Sequence, residues 1–264
     1  MTTLFNMVHL IGEFLSNDFV SSTATGGSGT TLVDTKRTER DEMWNGGTLL
    51  IRTSSLAGQM REIKDYDLAT KTFTFDAFGA AVAAGVEYAL IGPDYPKAEL
   101  LRGINQALLR IGGVLRFDET TAVVDGQKVY SLPVGVSDDV RRIEVDTYDT
   151  APYYTWRHYY WTVMNRQLIF DEGSEPDGDY RIRIYYNDPL SSLVDDADEL
   201  PADVPQRAWY TGGVYYCLKN RLKNTRQSDS IILALLGEAE RDWLSAYRNI
   251  TRMPRDPHLI FWGE

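Results

Sequence analysis

Residues 205–250 read PQRAWYTGGVYYCLKNRLKNTRQSDSIILALLGEAERDWLSAYRNI, and this stretch decides the fold. In its first half Ala208, Gly212, Tyr215, Leu218 and Leu222 recur at three- and four-residue steps. In its second half Ile232, Leu235, Leu236, Ala239, Trp243, Ala246, Tyr247 and Ile250 do the same. Each set falls on one face of a helix. The polar link Asn224–Asp229 is short, so the two helices are expected to pack antiparallel, with Ser228 or Asp229 capping the second. Pro254 and Pro257 stop the helix. Beyond them Leu259, Ile260, Phe261 and Trp262 form an apolar cluster that is costly to leave in water, and it reads as a docking peg.

Working back from this hairpin, two more helical stripes emerge. Leu4, Met7, Val8, Leu10, Ile11, Phe14 and Leu15 mark one near the N-terminus. Leu100, Leu101, Ile104, Ala107, Leu108 and Ile111 mark the other, closed by Gly112-Gly113. Two β-rich segments separate them. The first, residues 30–91, has short runs at Thr31–Val33, Thr48–Arg52, Gln59–Lys64, Phe73–Phe75 and Val86–Leu90 with Gly turns, which suggests a sandwich or partly open barrel. Ser21 to Thr31 reads as a Ser/Thr/Gly linker before it. The second segment has an Asp125-Gly126 hairpin signal and strands at Val129–Pro133, Val140–Val145, Arg166–Phe170 and Tyr180–Tyr186. In the last of these Tyr180, Ile182, Ile184 and Tyr186 share one face.

The expected fold is therefore α+β: an antiparallel bundle of four helices interrupted by two β insertions, the first a small sandwich- or barrel-like module. The expected divisions are an N-terminal helix over 1–22, the β module over 23–95, a helix with the second insertion over 96–203, and the hairpin with its tail over 204–264.

Composition narrows function. At 43% hydrophobic the chain is globular, and a net charge of -11 argues against gripping nucleic acid by its phosphates. Only the segment 204–264 has a basic excess. Cys217 is the single cysteine, so a disulfide within the chain is impossible, and it reads as a packed thiol. No run of about 18 apolar residues suggests a membrane span. Met1–Val20 does not read as a signal peptide because Glu13 interrupts it. The protein is expected to work where it is made, or to be assembled there into something larger.

A search for chemistry finds little. His9, His158 and His258 have no zinc spacing, no nucleophile elbow occurs, and Gly26–Gly29 leads into a strand rather than the helix a phosphate loop needs. The acidic run Asp195–Glu199 lacks the calcium-loop pattern and reads as a solvated linker. No catalysis, metal or cofactor is expected. The richest stretch is Tyr153–Trp161. As one strand it aligns Tyr154, Trp156, His158 and Tyr160 on a face. That face is either an exposed platform for sugars or bases, or, as favoured here, core or a contact between subunits through Tyr154, Trp156 and Tyr160.

Two passages resemble tailed-phage head-to-tail adaptor (connector) proteins: Tyr130-Ser131-Leu132-Pro133 running into Arg142-Ile143-Glu144-Val145, and Tyr180–Tyr186 through Leu200-Pro201 into the hairpin. The stretches Thr23–Gly27, Gly47–Ile51 and Ala57–Ile63 are similar to a β module recurring in phage virion proteins. The resemblance implies a virion structural protein, assembled in the host cytoplasm and placed at the head–tail junction. It implies a homo-oligomeric, commonly dodecameric ring below the portal protein that extends the DNA channel, passes genomic DNA without specific binding, and docks tail, nozzle and fibre proteins. It also assigns Leu259, Ile260, Phe261 and Trp262 to portal docking. The rival expectation is a fibre-attachment or receptor- and carbohydrate-binding protein of the virion.

Overall fold

The computed structural model describes residues 2–146, 156–173, 175–176, 181–225 and 230–250, with the backbone alone at 156–158 and 224–225. Two compact units form, one from Met1–Ile111 and Ser191–Ile250, the other centred on Gly112–Leu190. The first unit begins with β1 (Thr2–Thr3), α1 (Leu4–Leu15), β2 (Val20–Thr23), β3 (Gly26–Gly27) and β4 (Thr31–Val33). It continues with β5 (Thr48–Ile51), β6 (Met60–Asp67), β7 (Thr72–Phe75), β8 (Glu87–Ile91) and α2 (Lys97–Ile111). The second unit holds β9 (Gly113–Ala122), β10 (Val129–Ser131), β11 (Val140–Asp146), β12 (Trp156–His158), β13 (Trp161–Met164), β14 (Gln167–Phe170) and β15 (Arg181–Pro189). The chain then rejoins the first unit as β16 (Glu199–Leu200), α3 (Gln206–Thr225) and α4 (Ser230–Arg248). The described fold is mixed α+β, with four helices and antiparallel sheets.

The first β segment closes on itself. Its strand order is β2-β8-β5-β6-β7-β4-β3, and the two ends of that order, β2 and β3, belong to one continuous stretch of chain. Ala24 N donates to Val86 O on one side, and Thr25 N to Val33 O on the other. The sheet therefore has no free edge at this seam, which is how a small barrel escapes edge-to-edge pairing. Residues 20–27 are the closing strand, and they overlap the stretch 21–31 expected as a linker. Their Ser/Thr/Gly composition reads as flexible, but two neighbouring strands supply the backbone partners that order it. Trp44, Leu49, Ile63, Tyr66, Phe73 and Tyr88 fill the interior. A fully buried side chain of this size contributes roughly 1.5–3 kcal/mol.

The helices pack around α3. The expected stripe on α3 is too narrow: Trp209, Gly213, Val214 and Cys217 are buried in addition to Ala208, Gly212 and Leu218, while Tyr215 and Leu222 are only half-buried. The reason is that α2, α4 and α1 all lie against it. Small residues allow this. A Cβ at Gly212 would meet Ala107 and Trp243 at 2.8 Å, one at Gly213 would meet Ile11 Cδ1 at 2.4 Å, and one at Gly103 would meet Cys217 Sγ at 2.3 Å. On α4 the residues Ile232, Ala239, Trp243 and Ala246 are buried, but Leu235, expected in the core, is 40% exposed.

These contacts set a prediction. Alanine normally gains about 1 kcal/mol over glycine within a helix. At Gly237 of α4 nothing lies within 4 Å of the new methyl, so Gly237→Ala is expected to raise the urea midpoint. At Gly103 overpacking of about 1–3 kcal/mol outweighs that gain, so Gly103→Ala is expected to lower it. Equal stabilisation by both substitutions would show that α2 and α3 do not approach this closely.

In the second unit a four-stranded sheet, β12-β11-β15-β9, and a three-stranded sheet, β10-β14-β13, share one core. Ile143, Val145, Ile182, Ile184, Leu168 and Phe170 meet there. The expected alternation in β15 holds for Ile182, Ile184 and Tyr186, which point inward, against exposed Arg181. The Asp-Gly turn forms, with Gln127 N donating to Val124 O at 2.9 Å. It does not join paired strands, because β9 pairs with β15 and β10 with β14. The turn is instead a corner between two sheets, held by the Tyr130 hydroxyl, which bonds both the amide and the carbonyl of Val124.

Candidate assembly surfaces

The acidic run after β15 is a clasp rather than a solvated linker. Asp196 Oδ2 accepts from the Met60 amide of β6 at 2.7 Å, and Oδ1 from Lys97 Nζ at the start of α2 at 2.6 Å. Arg61 Nη1 stands 3.6 Å away. The Asp198 carbonyl accepts from Leu4 N and the Asp196 carbonyl from Phe5 N, serving two of the orphan amides in the first turn of α1. Asp198 Oδ2 accepts from the Val194 and Asp195 amides and closes the turn. These carboxylates are engaged by protein donors. Among the described residues no group of three or more His, Cys, Asp or Glu side chains is placed to hold a metal ion.

The aromatic run is not one strand. Trp156–His158 belongs to the four-stranded sheet, and the chain then crosses to the three-stranded sheet at Trp161. Tyr159 packs on the core with its ring edge-on to Phe170 at 5.9 Å, and Tyr160 is 51% exposed. Of the residues expected at a subunit contact, Tyr160 is therefore on the surface, while Tyr154 and the Trp156 side chain lie outside the described residues. Leu259, Ile260, Phe261 and Trp262 lie outside them as well.

The matching strand motifs divide between two faces of the four-stranded sheet. Their aliphatic residues enter the core. On the other face Arg183 pairs with Glu119 of β9 and, at 3.7 Å, with Glu144 of β11, which Arg142 also holds. The Arg183 guanidinium stands 5.3 Å from the centre of the Phe117 ring, and Phe117 is 59% exposed. Three strands are thus tied in register by a charged ladder with one aromatic ring facing outward.

Sequence reading missed an open concavity on the helices. Between α1 and α3 lies an open groove of about 740 Å3 lined by Leu10, Glu13, Phe14, Gln206, Arg207 and Tyr210. Through Phe14 and Tyr210 it continues onto Val214, Leu235, Glu238 and Asp242. The Phe14 and Tyr210 rings meet edge-on at 6.2 Å. Burial first, then the Glu13 charge, push the Tyr210 phenol above its ordinary pKa, as a desolvated and negative site should. The only signal in the sequence was that Phe14 and Leu235 sit at the margin of their apolar stripes.

His9 shows how the isolated titratable groups are used. It lies between Phe5 and Phe19, with Glu13 at 3.8 Å, and burial lowers its pKa more than Glu13 raises it. No described helix is long and apolar enough to cross a membrane.

The described residues thus present an ion-paired strand face, a barrel clasped to helices and an open apolar groove. The SU10 adaptor protein family matches residues 74–258, and the chain belongs to that family of phage adaptor proteins. It is thereby a structural adaptor of the virion. The match runs from β7 through α4, so α1 and most of the barrel precede it. No curated protein matches the chain.

Proposed function

We propose that the protein is a head-to-tail adaptor that forms a ring, commonly dodecameric in such proteins, below the portal, extends the DNA channel and docks the tail. The observation that carries this reading is the family match across α2, the second unit, α3 and α4. In this reading the helices act as a bundle, with the barrel and the second unit as its two β insertions. The net charge of -11 supports it. A channel wall rich in Lys and Arg would bind phosphates and brake the DNA, whereas an acidic wall lets it slide. The role is mechanical rather than catalytic and needs no cofactor. The protein assembles in the host cytoplasm and ends at the head–tail junction.

Electron microscopy of particles made without this gene tests the reading. Tailless or DNA-leaking heads are expected. Complete particles that merely fail to adsorb to cells would overturn it.

A further inference from the structure

The groove over α1, α3 and α4 is apolar within, and its rim carries Glu13, Glu238 and Asp242 together with Arg207. Phe14 is 59% exposed and Leu235 40%, and Ile231 continues the same side of α4 at 70%. Ile231, Leu235, Glu238 and Asp242 follow at four-, three- and four-residue steps, so they form one stripe beside the buried stripe of Ile232, Ala239 and Trp243. Glu13 lines the adjoining part of the groove on α1. Such a groove suits a short apolar segment that carries cationic flanks.

Residues 251–264 offer this on the N-terminal side: Arg252, Arg255 and His258, against the single acid Asp256, precede Leu259-Ile260-Phe261-Trp262, and Glu264 follows it. We propose that the groove seats the Leu259–Trp262 segment of an adjacent copy of this chain. Eight residues lie between Ile250, the last described, and Leu259, and this stretch spans up to about 30 Å when extended. Phe261 and Trp262 supply the large apolar area the groove can cover, and Arg252 and Arg255 meet Glu13, Glu238 and Asp242. The contact is heterologous: each copy offers one segment and one groove, so a closed ring fills every groove. Repetition around the ring adds avidity to a contact of modest strength. The inference rests on the ring-forming adaptor reading. Resemblance hands this segment to the portal, whereas the groove offers it a charge-matched partner on the next subunit.

The test is disulfide trapping in assembled particles. Phage carrying Leu235→Cys together with Phe261→Cys are purified, oxidised and run on a non-reducing gel. The native Cys217 is 2% exposed, and burial pushes its thiol pKa up to about 12, so it stays silent. A ladder of multimers containing this chain alone, collapsed by reductant, is expected. Particles with normal adaptor content that give only monomers, internally bridged chains or adducts with portal protein would overturn the proposal. A second set covers the case in which the cysteine pair does not assemble. Glu238→Arg with Asp242→Arg, both on exposed positions, is expected to cut adaptor content per particle by about tenfold, because a weakened rim contact recurs at every subunit. Adding Arg252→Glu and Arg255→Glu should restore it. No loss, or no restoration, counts against the proposal. Loss of the adaptor reading itself would look different, as intact necks on particles that lack the gene.

Discussion

Asp34→Ala is expected to destabilise the barrel by about 3 kcal/mol, the lower end of the cost of breaking a buried charge pair from one side. The Asp34 side chain is fully buried. It accepts from the Tyr88 hydroxyl at 2.6 Å, the Ser22 hydroxyl at 2.7 Å and the Lys36 amide at 3.0 Å, and Arg37 Nε stands 3.3 Å away. Alanine would take this acceptor from the buried Tyr88 hydroxyl and the half-buried Ser22 hydroxyl and leave the Arg37 guanidinium with Glu39 alone. The value sits at the lower end because the Arg37 side chain keeps 14% of its surface in water. Asp34→Asn retains one acceptor and should lose less. The pH dependence follows from the sign of the shift. Burial works to raise the Asp34 pKa, but the bonds from Tyr88, Ser22 and the Lys36 amide, with the Arg37 charge, hold it below its ordinary 3.8. A carboxylate with a lowered folded pKa contributes stability above its unfolded pKa and loses it as pH falls through the folded value. The gap between wild type and Asp34→Ala, read from urea midpoints, should therefore be constant near neutrality and close only in acid, below about pH 4. A gap under about 1 kcal/mol at pH 7, the size of an ordinary surface substitution, would sink the account.

Asp34 also shows where sequence reading stops. Helices were legible because period-3.6 patterns are local: α1, α2 and α4 fall where their stripes place them, and Gly112, at φ +84°, ends α2 as expected. The inward residues of β15 were legible for the same reason, at period two. Asp34 has no such signal. Its partners Ser22 and Tyr88 lie 12 and 54 residues away, and Asp-Thr-Lys reads locally as a turn. The closing strand at 20–27 was hidden because its order comes from neighbours on both sides rather than from its own propensity. The Asp125-Gly126 turn was read correctly as a turn and wrongly as a hairpin, since the strands on either side of a turn are free to choose other partners. The groove was hidden because a leucine at the edge of a stripe looks the same whether its neighbour covers it or not. The number of helices that surround α3, not the stripe itself, decides its exposure.

The same distinction between composition and context governs the second large effect. Asp196→Ala is expected to cost about 2–4 kcal/mol, because one carboxylate accepts from a barrel amide and pairs with two cations. The Met60 amide would lose its acceptor within strand β6, and Lys97 and Arg61 would lose their shared counter-charge. The Lys97 and Arg61 side chains keep 25% and 26% of their surface in water, so screening trims the ionic part and the amide bond dominates. The strap also pairs β16 with β1 and serves the first amides of α1. Its loosening should therefore release the N-terminal helix along with the barrel. Limited proteolysis reads this separately from global unfolding: new cleavage within 190–199 is expected in Asp196→Ala while the α3–α4 hairpin stays protected. Asp195→Ala is the control. Its side chain is exposed in the same acidic run, and its replacement should change stability by less than about 0.5 kcal/mol. If the two substitutions behaved alike, the run would be the solvated linker its composition suggests, and the clasp between barrel and helices would have to lie elsewhere.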